Sequence, residues 1–133
     1  MRYKSGFVIA AVSSGSGKTT VTNGLLRAFK NRGFKVAPFK TGPDFIDTQF
    51  HKVAAGMESV NLDVFMSDEQ HVKSLFQRYS AGSDVRIVEG VMGLFDGYDK
   101  RKGSAAHIAE LTGLPVVLVI NAASSAYSLA AVL

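Results

Sequence analysis

The run Ser13-Ser14-Gly15-Ser16-Gly17-Lys18-Thr19-Thr20 follows an apolar stretch, Phe7 to Val12, and precedes a helical pattern. A loop held between a buried strand and a helix N-terminus gathers successive backbone N–H groups into one concavity, and the helix dipole adds positive potential there. Gly15 and Gly17 supply the conformations that so tight a loop needs. A lysine in the first turn of a helix runs against the dipole, so Lys18 calls for an anion beside it. In a phosphate cradle that lysine reaches the β- and γ-phosphates and the Thr19 hydroxyl holds Mg²⁺. Ser14, Gly15, Ser16, Gly17, Lys18, Thr19 and Thr20 are therefore the candidate nucleotide-binding residues. The strict pattern G-x-x-x-x-G-K-[ST] fails at its first glycine, where the chain has Val12, so the match is to a variant.

Two further segments carry carboxylates. Lys40 to Asp47 contains Lys40, Asp44 and Asp47, and Glu89 to Gly103 contains Glu89, Asp96 and Asp99. Carboxylates beside a polyphosphate repel it unless a hard cation lies between, so Asp44 and Glu89 read as Mg²⁺ ligands with Thr19, directly or through water. Both segments also admit a plainer reading: Asp44 after Pro43 is a common turn residue, and Asp96-Gly97 a common turn dipeptide. His51, His71 and His107 have no paired metal spacing and read as surface or helix residues. Phe95 and Tyr98 read as anchors of their own loop.

These residues need a frame. Helical spacing of Val21, Leu25, Leu26 and Phe29 predicts a helix from Lys18 to about Arg32, stopped by Gly33. A strand over 35–39 and a short helix over 48–55, ended by Gly56, follow. Another helix is expected from Ser67, with Gln70 completing a capping box and Val72, Leu75, Phe76 and Tyr79 as its buried stripe. A strand over 85–88, a helix from the Ser104 cap to Leu111, a Gly113 stop and a strand over 116–120 complete the alternation, and an apolar helix is expected from Ser125. The strands read as continuous Val/Ile/Ala runs buried on both faces, which predicts a parallel sheet in a doubly wound α/β fold. Such sheets bind ligands at the carboxyl ends of their strands, where all three chemically loaded loops emerge.

Composition narrows the classes. The chain has 133 residues, one domain's worth, and 47% of them are hydrophobic, enough for one packed fold. With no cysteine there is no disulfide framework, thiolate zinc site or cysteine nucleophile. The net charge of +4 favours anionic ligands, but its basic residues are scattered, at Arg27, Lys30, Arg32 and Lys35 and again over 100–102. No aromatic interleaving accompanies them, which argues against nucleic acid. No apolar run is long enough to cross a bilayer, and residues 1–5 show no cleavable signal pattern, so a soluble cytoplasmic chain is expected. The last residues stop inside an apolar stretch, so a cut chain is expected, its open edge covered by further polypeptide or by a partner such as a second copy.

Three blocks together carry a family likeness: SSGSGKTT over 13–20, KTGPDFID over 40–47 with Asn61-Leu62-Asp63 after it, and EGVMGLFDG over 89–97. In order and spacing they resemble the amino-terminal synthetase domain of the cobyrinate a,c-diamide synthases, within the amidoligases that include dethiobiotin synthetase, and the likeness spans essentially the whole chain. The resemblance implies a P-loop NTPase-like fold, ATP and Mg²⁺. It implies ATP-dependent amidation of two acetate carboxylates on a corrinoid or related tetrapyrrole polycarboxylate, through an acyl phosphate. By the same resemblance Lys18 stabilises the transferring phosphoryl, and Asp47 and Asp96 act in substrate activation and intermediate handling. Ammonia would come from a carboxyl-terminal glutaminase domain with a cysteine nucleophile, which this chain does not contain. Asn121 departs from the pattern, standing where relatives often have aspartate. The neighbouring readings are a nickel-sirohydrochlorin a,c-diamide synthase and, more remotely, a partition-type ATPase switch, which would carry a second lysine where this chain has Ser13.

Overall fold

A computed structural model describes residues 5–133; the signal-free start expected over residues 1–4 lies outside them. The chain runs β1 (Gly6–Ala11), α1 (Lys18–Asn31), β2 (Val36–Thr41), α2 (Asp47–Ala55), β3 (Val60–Leu62), α3 (Glu69–Ser80), β4 (Val85–Glu89), α4 (Ala105–Thr112) and β5 (Val116–Val119). A 3₁₀ turn at Tyr127–Ala131 follows. The strands form one sheet in the order β3-β2-β4-β1-β5, and every pairing is parallel. This is the doubly wound α/β arrangement.

Alternation along the strands explains why both faces are covered. Val8, Ala10, Ala37, Phe39 and Val88 point to one side and pack with Val72 and Phe76 of α3 and Ile108 of α4. Ile9, Val36, Val85 and Ile87 point to the other and meet Leu26 of α1 and Ala54 and Ala55 of α2. Successive side chains of a strand leave opposite faces, so strands covered on both sides are apolar along most of their length, and the buried polar residues Lys40, Thr41 and Glu89 stand only at the carboxyl ends of β2 and β4.

Four differences from the expected elements have local causes. Among the described residues the sheet has five strands rather than four, because the three residues of β3 pair with Phe39, Lys40 and Thr41; so short a segment carries no readable period. The cap of α3 is Asp68, whose carboxylate accepts from the His71 N–H, while Ser67 instead donates to the Asp63 carbonyl. Tyr79 is exposed rather than buried, because the face of α3 that meets the sheet runs through Val72 and Phe76. The final apolar segment forms only the 3₁₀ turn, with Tyr127 94% exposed. Among the described residues no helix is long and apolar enough to cross a membrane.

The order of strands decides what meets at the carboxyl edge. β1 lies between β4 and β5, so the loop after β1 faces the loop after β4, and β2 flanks β4 on its other side. Backbone bonds clamp the loop after β4 to the end of β1: Gly90 N–H donates to the Ile9 carbonyl at 2.7 Å and Leu94 N–H to the Ala11 carbonyl at 2.7 Å.

Candidate functional site

At that edge the loop after β1 turns through Gly15 and Gly17, at φ of 75° and 91°, with open space where a Cβ would stand. Left-handed backbone disfavours side chains, so glycine lets the loop turn back over the start of α1. Beside it lies a cleft of about 500 Å³ lined by Ser14, Gly15, Gly17, Lys18, Thr19 and Thr20, by Lys40, Asp44 and Asp47, and by Gly90, Val91 and Met92. Six of the seven candidate cradle residues thus share one wall. Ser16 turns away, its hydroxyl donating to the Ser13 carbonyl at 3.0 Å.

Lys18 is buried and its ammonium donates to the Met92 carbonyl. Burial, then the nearby charge of Lys40, holds its pKa below the usual lysine value, so the cation stands where an anion would relieve it. Lys40, 4% exposed, sits among carboxylates: Asp47 at 2.7 Å, Glu89 at 3.5 Å and Asp44 at 3.9 Å. Asp44 does two things at once. Its Oδ1 accepts from the N–H groups of Ile46 and Asp47, satisfying the start of α2, and its Oδ2 is left beside Lys40. Burial alone would raise the Asp44 pKa, but these backbone bonds and Lys40 outweigh it and hold the carboxyl below its ordinary range.

Glu89 does not line the cleft. It ends β4 one layer behind, fully buried, its Oε1 accepting from the Thr19 hydroxyl at 2.6 Å. Its Oε2 lies 2.6 Å from Nε2 of His51, which is equally buried. Burial pushes the Glu89 pKa up, yet the bonds from His51 and Thr19 and the charge of Lys40 bring it below the ordinary value. Of the surface or helix placement expected for His51, the helix holds and the surface does not: it belongs to α2 but faces inward. Thr48, His51 and Ala55 form the helix's buried stripe, and their spacing in the sequence carries that signal. Asp96 stays outside the cleft lining, its Oδ2 accepting from the Gly93 N–H at 3.0 Å. Tyr98 anchors its loop against the Phe65 ring, at 5.0 Å between centroids.

Residues 7–130 match the family described as the CobQ/CobB/MinD/ParA nucleotide binding domain. The chain belongs to that family. The resemblance reported from the three sequence blocks agrees with the curated relatives of this CobQ/CobB/MinD/ParA domain. A cobyrinate a,c-diamide synthase from Listeria innocua is 48% identical over 94% of this chain, and one from Caldanaerobacter subterraneus is 48% identical over 96%. A hydrogenobyrinate a,c-diamide synthase from Brucella anthropi is 50% identical over 95% of it. The chain spans about 28–29% of the length of these relatives.

The cleft suits a magnesium–polyphosphate group by its own chemistry. Among the described residues no three His, Cys, Asp or Glu side chains form a ready metal cage. Mg²⁺ does not need one, since it is commonly held by one or two protein oxygens with phosphate oxygens and water. Thr19 and Asp44 offer such oxygens to the cleft, and Glu89 reaches it through Thr19.

Proposed function

We propose that this chain is the ATP-binding synthetase part of an enzyme that amidates the a and c acetate carboxylates of cobyrinate or hydrogenobyrinate. One observation carries the reading. The phosphate cleft opens onto a second hollow of about 520 Å³, and the two share Asp44, Val91 and Met92. The second hollow is lined by Phe45, Ile46, Phe65 and Tyr98, apolar surface suited to the face of a macrocycle. At its base Thr41 Oγ1 is buried without a hydrogen-bond partner among the described residues. A carboxylate on the rim of a molecule seated there would reach the phosphate cleft. The names of the similar synthases supply the substrate class.

A carboxylate is a poor acyl donor to an amine because it has no adequate leaving group. In this reading an acetate oxygen attacks the γ-phosphorus of ATP, the bond to the β-phosphate oxygen breaks and ADP leaves. Ammonia then attacks the acyl carbon, phosphate departs with the electron pair of the C–O bond, and the ammonium nitrogen loses a proton to give the amide. The cradle N–H groups and Lys18 hold the charge that develops on the transferring group. Mg²⁺, when bound, neutralises phosphate charge beside Thr19 and Asp44, with Glu89 behind them. Asp47, positioned by Lys40, faces the cleft where the acetate enters, and Asp96 shapes the loop beside it. Ammonia from glutamine would have to be made elsewhere, because a chain without cysteine has no thiolate nucleophile for that hydrolysis.

The test supplies the full-length protein with MgATP, ammonium and, in turn, cobyrinate, hydrogenobyrinate and nickel-sirohydrochlorin, and follows each by mass spectrometry. Conversion of two carboxylates to amides is expected with a corrinoid. Nucleotide binding without any amide product would turn the reading toward an ATPase switch.

A further inference from the structure

His51 has no part in the chemistry above, yet its two ring nitrogens are both engaged. Nε2 is 2.6 Å from Glu89 Oε2 and Nδ1 is 2.9 Å from the Ser59 hydroxyl, just before β3. An imidazole nitrogen at that distance from a carboxylate oxygen carries the proton and donates it. The Ser59 contact holds the opposite edge, so the ring is fixed at both ends. Glu89 also has a competing attraction, since Lys40 Nζ lies 3.5 Å from the same Oε2. A buried carboxylate free to rotate would turn toward the ammonium and release the Thr19 hydroxyl.

We infer that His51 is a positioning residue: it pins Glu89 so that Oε1 accepts the Thr19 proton and the Thr19 oxygen lone pairs stay turned to the phosphate cleft. The inference rests on reading that cleft as a magnesium–nucleotide site. It adds a His–Glu–Thr chain, buried at His51 and Glu89, that ends at the cradle. Thr19 and Glu89 are 70 residues apart in the chain, and His51 comes from a third element.

Mg²⁺ titrations of fluorescent ATP-analogue binding to the full chain, with wild type, His51→Gln and His51→Leu, test this. Glutamine keeps an N–H near the Nε2 position, whereas leucine fills the space without a donor. The Mg²⁺ midpoint should rise about tenfold or more in His51→Leu and stay within about threefold in His51→Gln. Affinity for the analogue without Mg²⁺ should be alike in all three. A folded His51→Leu protein with the wild-type midpoint overturns the inference, since a merely structural histidine would lower the melting temperature and leave the midpoint in place. If His51→Leu does not fold, the imidazole ¹⁵N spectrum of the wild type decides. Mg–nucleotide should shift the His51 signals and leave those of exposed His71, and unmoved His51 signals overturn the inference. Absence of Mg²⁺-dependent binding in the wild type would remove the nucleotide reading as well, which separates the two failures.

Discussion

In the proposed nucleotide site, Lys18 is a side chain whose charge costs stability in the free protein and would supply binding to an anion. Its lowered pKa has burial as the main cause and Lys40 as the next, so the folded protein gains nothing from the charge until an anion arrives. Lys18→Met should therefore leave the melting temperature of the free protein unchanged or slightly higher. It should weaken ATP by about 10- to 100-fold, the loss of a hydrogen bond to a charged group; calorimetric titration beside a thermal melt checks both. Glu89 has the opposite sign. Its folded pKa lies below the ordinary 4.5, so its contribution is complete above that value and disappears as pH falls through the folded pKa. Urea unfolding followed down through the acid range should show a steeper loss of stability in the wild type than in Glu89→Gln. Equal slopes would remove the linkage. Neither Asp47 nor Asp96 has the same leverage: Asp47 faces the cleft paired with Lys40, and Asp96 is bonded within its own loop.

Among the elements, the loop after β4 supplies the Gly90-Val91-Met92 wall of the cleft, and it is held by glycines for want of space. A Cβ on Gly93 would stand 2.5 Å from the Val12 carbonyl oxygen and 2.5 Å from Asp96 Oδ2, and one on Gly90 would stand 2.9 Å from the Ile9 carbonyl oxygen. Gly93→Ala must therefore push this loop off the start of the phosphate loop. It should weaken nucleotide binding about tenfold or more while costing about 1–3 kcal/mol in stability, the usual expense of overpacking; equilibrium binding and denaturant melts would measure the two separately. The edge strand β3 matters for a different reason. It brings Ser59 up to the ring of His51, so a segment of three residues helps to set the wall of a site it does not line.

At the scale of the whole molecule, two apolar layers clamp one parallel sheet, and Phe39, fully buried and packed on Phe76 at 5.1 Å between ring centroids, lies in one of them. Phe39→Ala should cost about 3–5 kcal/mol by urea unfolding, and saturating MgATP should recover part of it through binding to the folded state alone. The alternation of strands and helices, the glycine-bearing loop over 13–20, the loop carboxylates and the family likeness were all legible in the chain. Each rests on local spacing: period of hydrophobicity, glycine at a turn, a lysine against a helix dipole. Distance and direction were not legible there. That Glu89 sits behind Thr19 and that His51 is wholly buried against it follow from the strand order β3-β2-β4-β1-β5, whereas Ser16 turns away and Asp96 stays in its loop through hydrogen bonds made within their own loops. Sequence alone determined which chemical groups this protein possesses and on what kind of element each stands, because those depend on neighbours along the chain. Only the tertiary structure decided which of them touch, because a parallel sheet joins strands far apart in sequence, and burial then fixes the partner each charge must find.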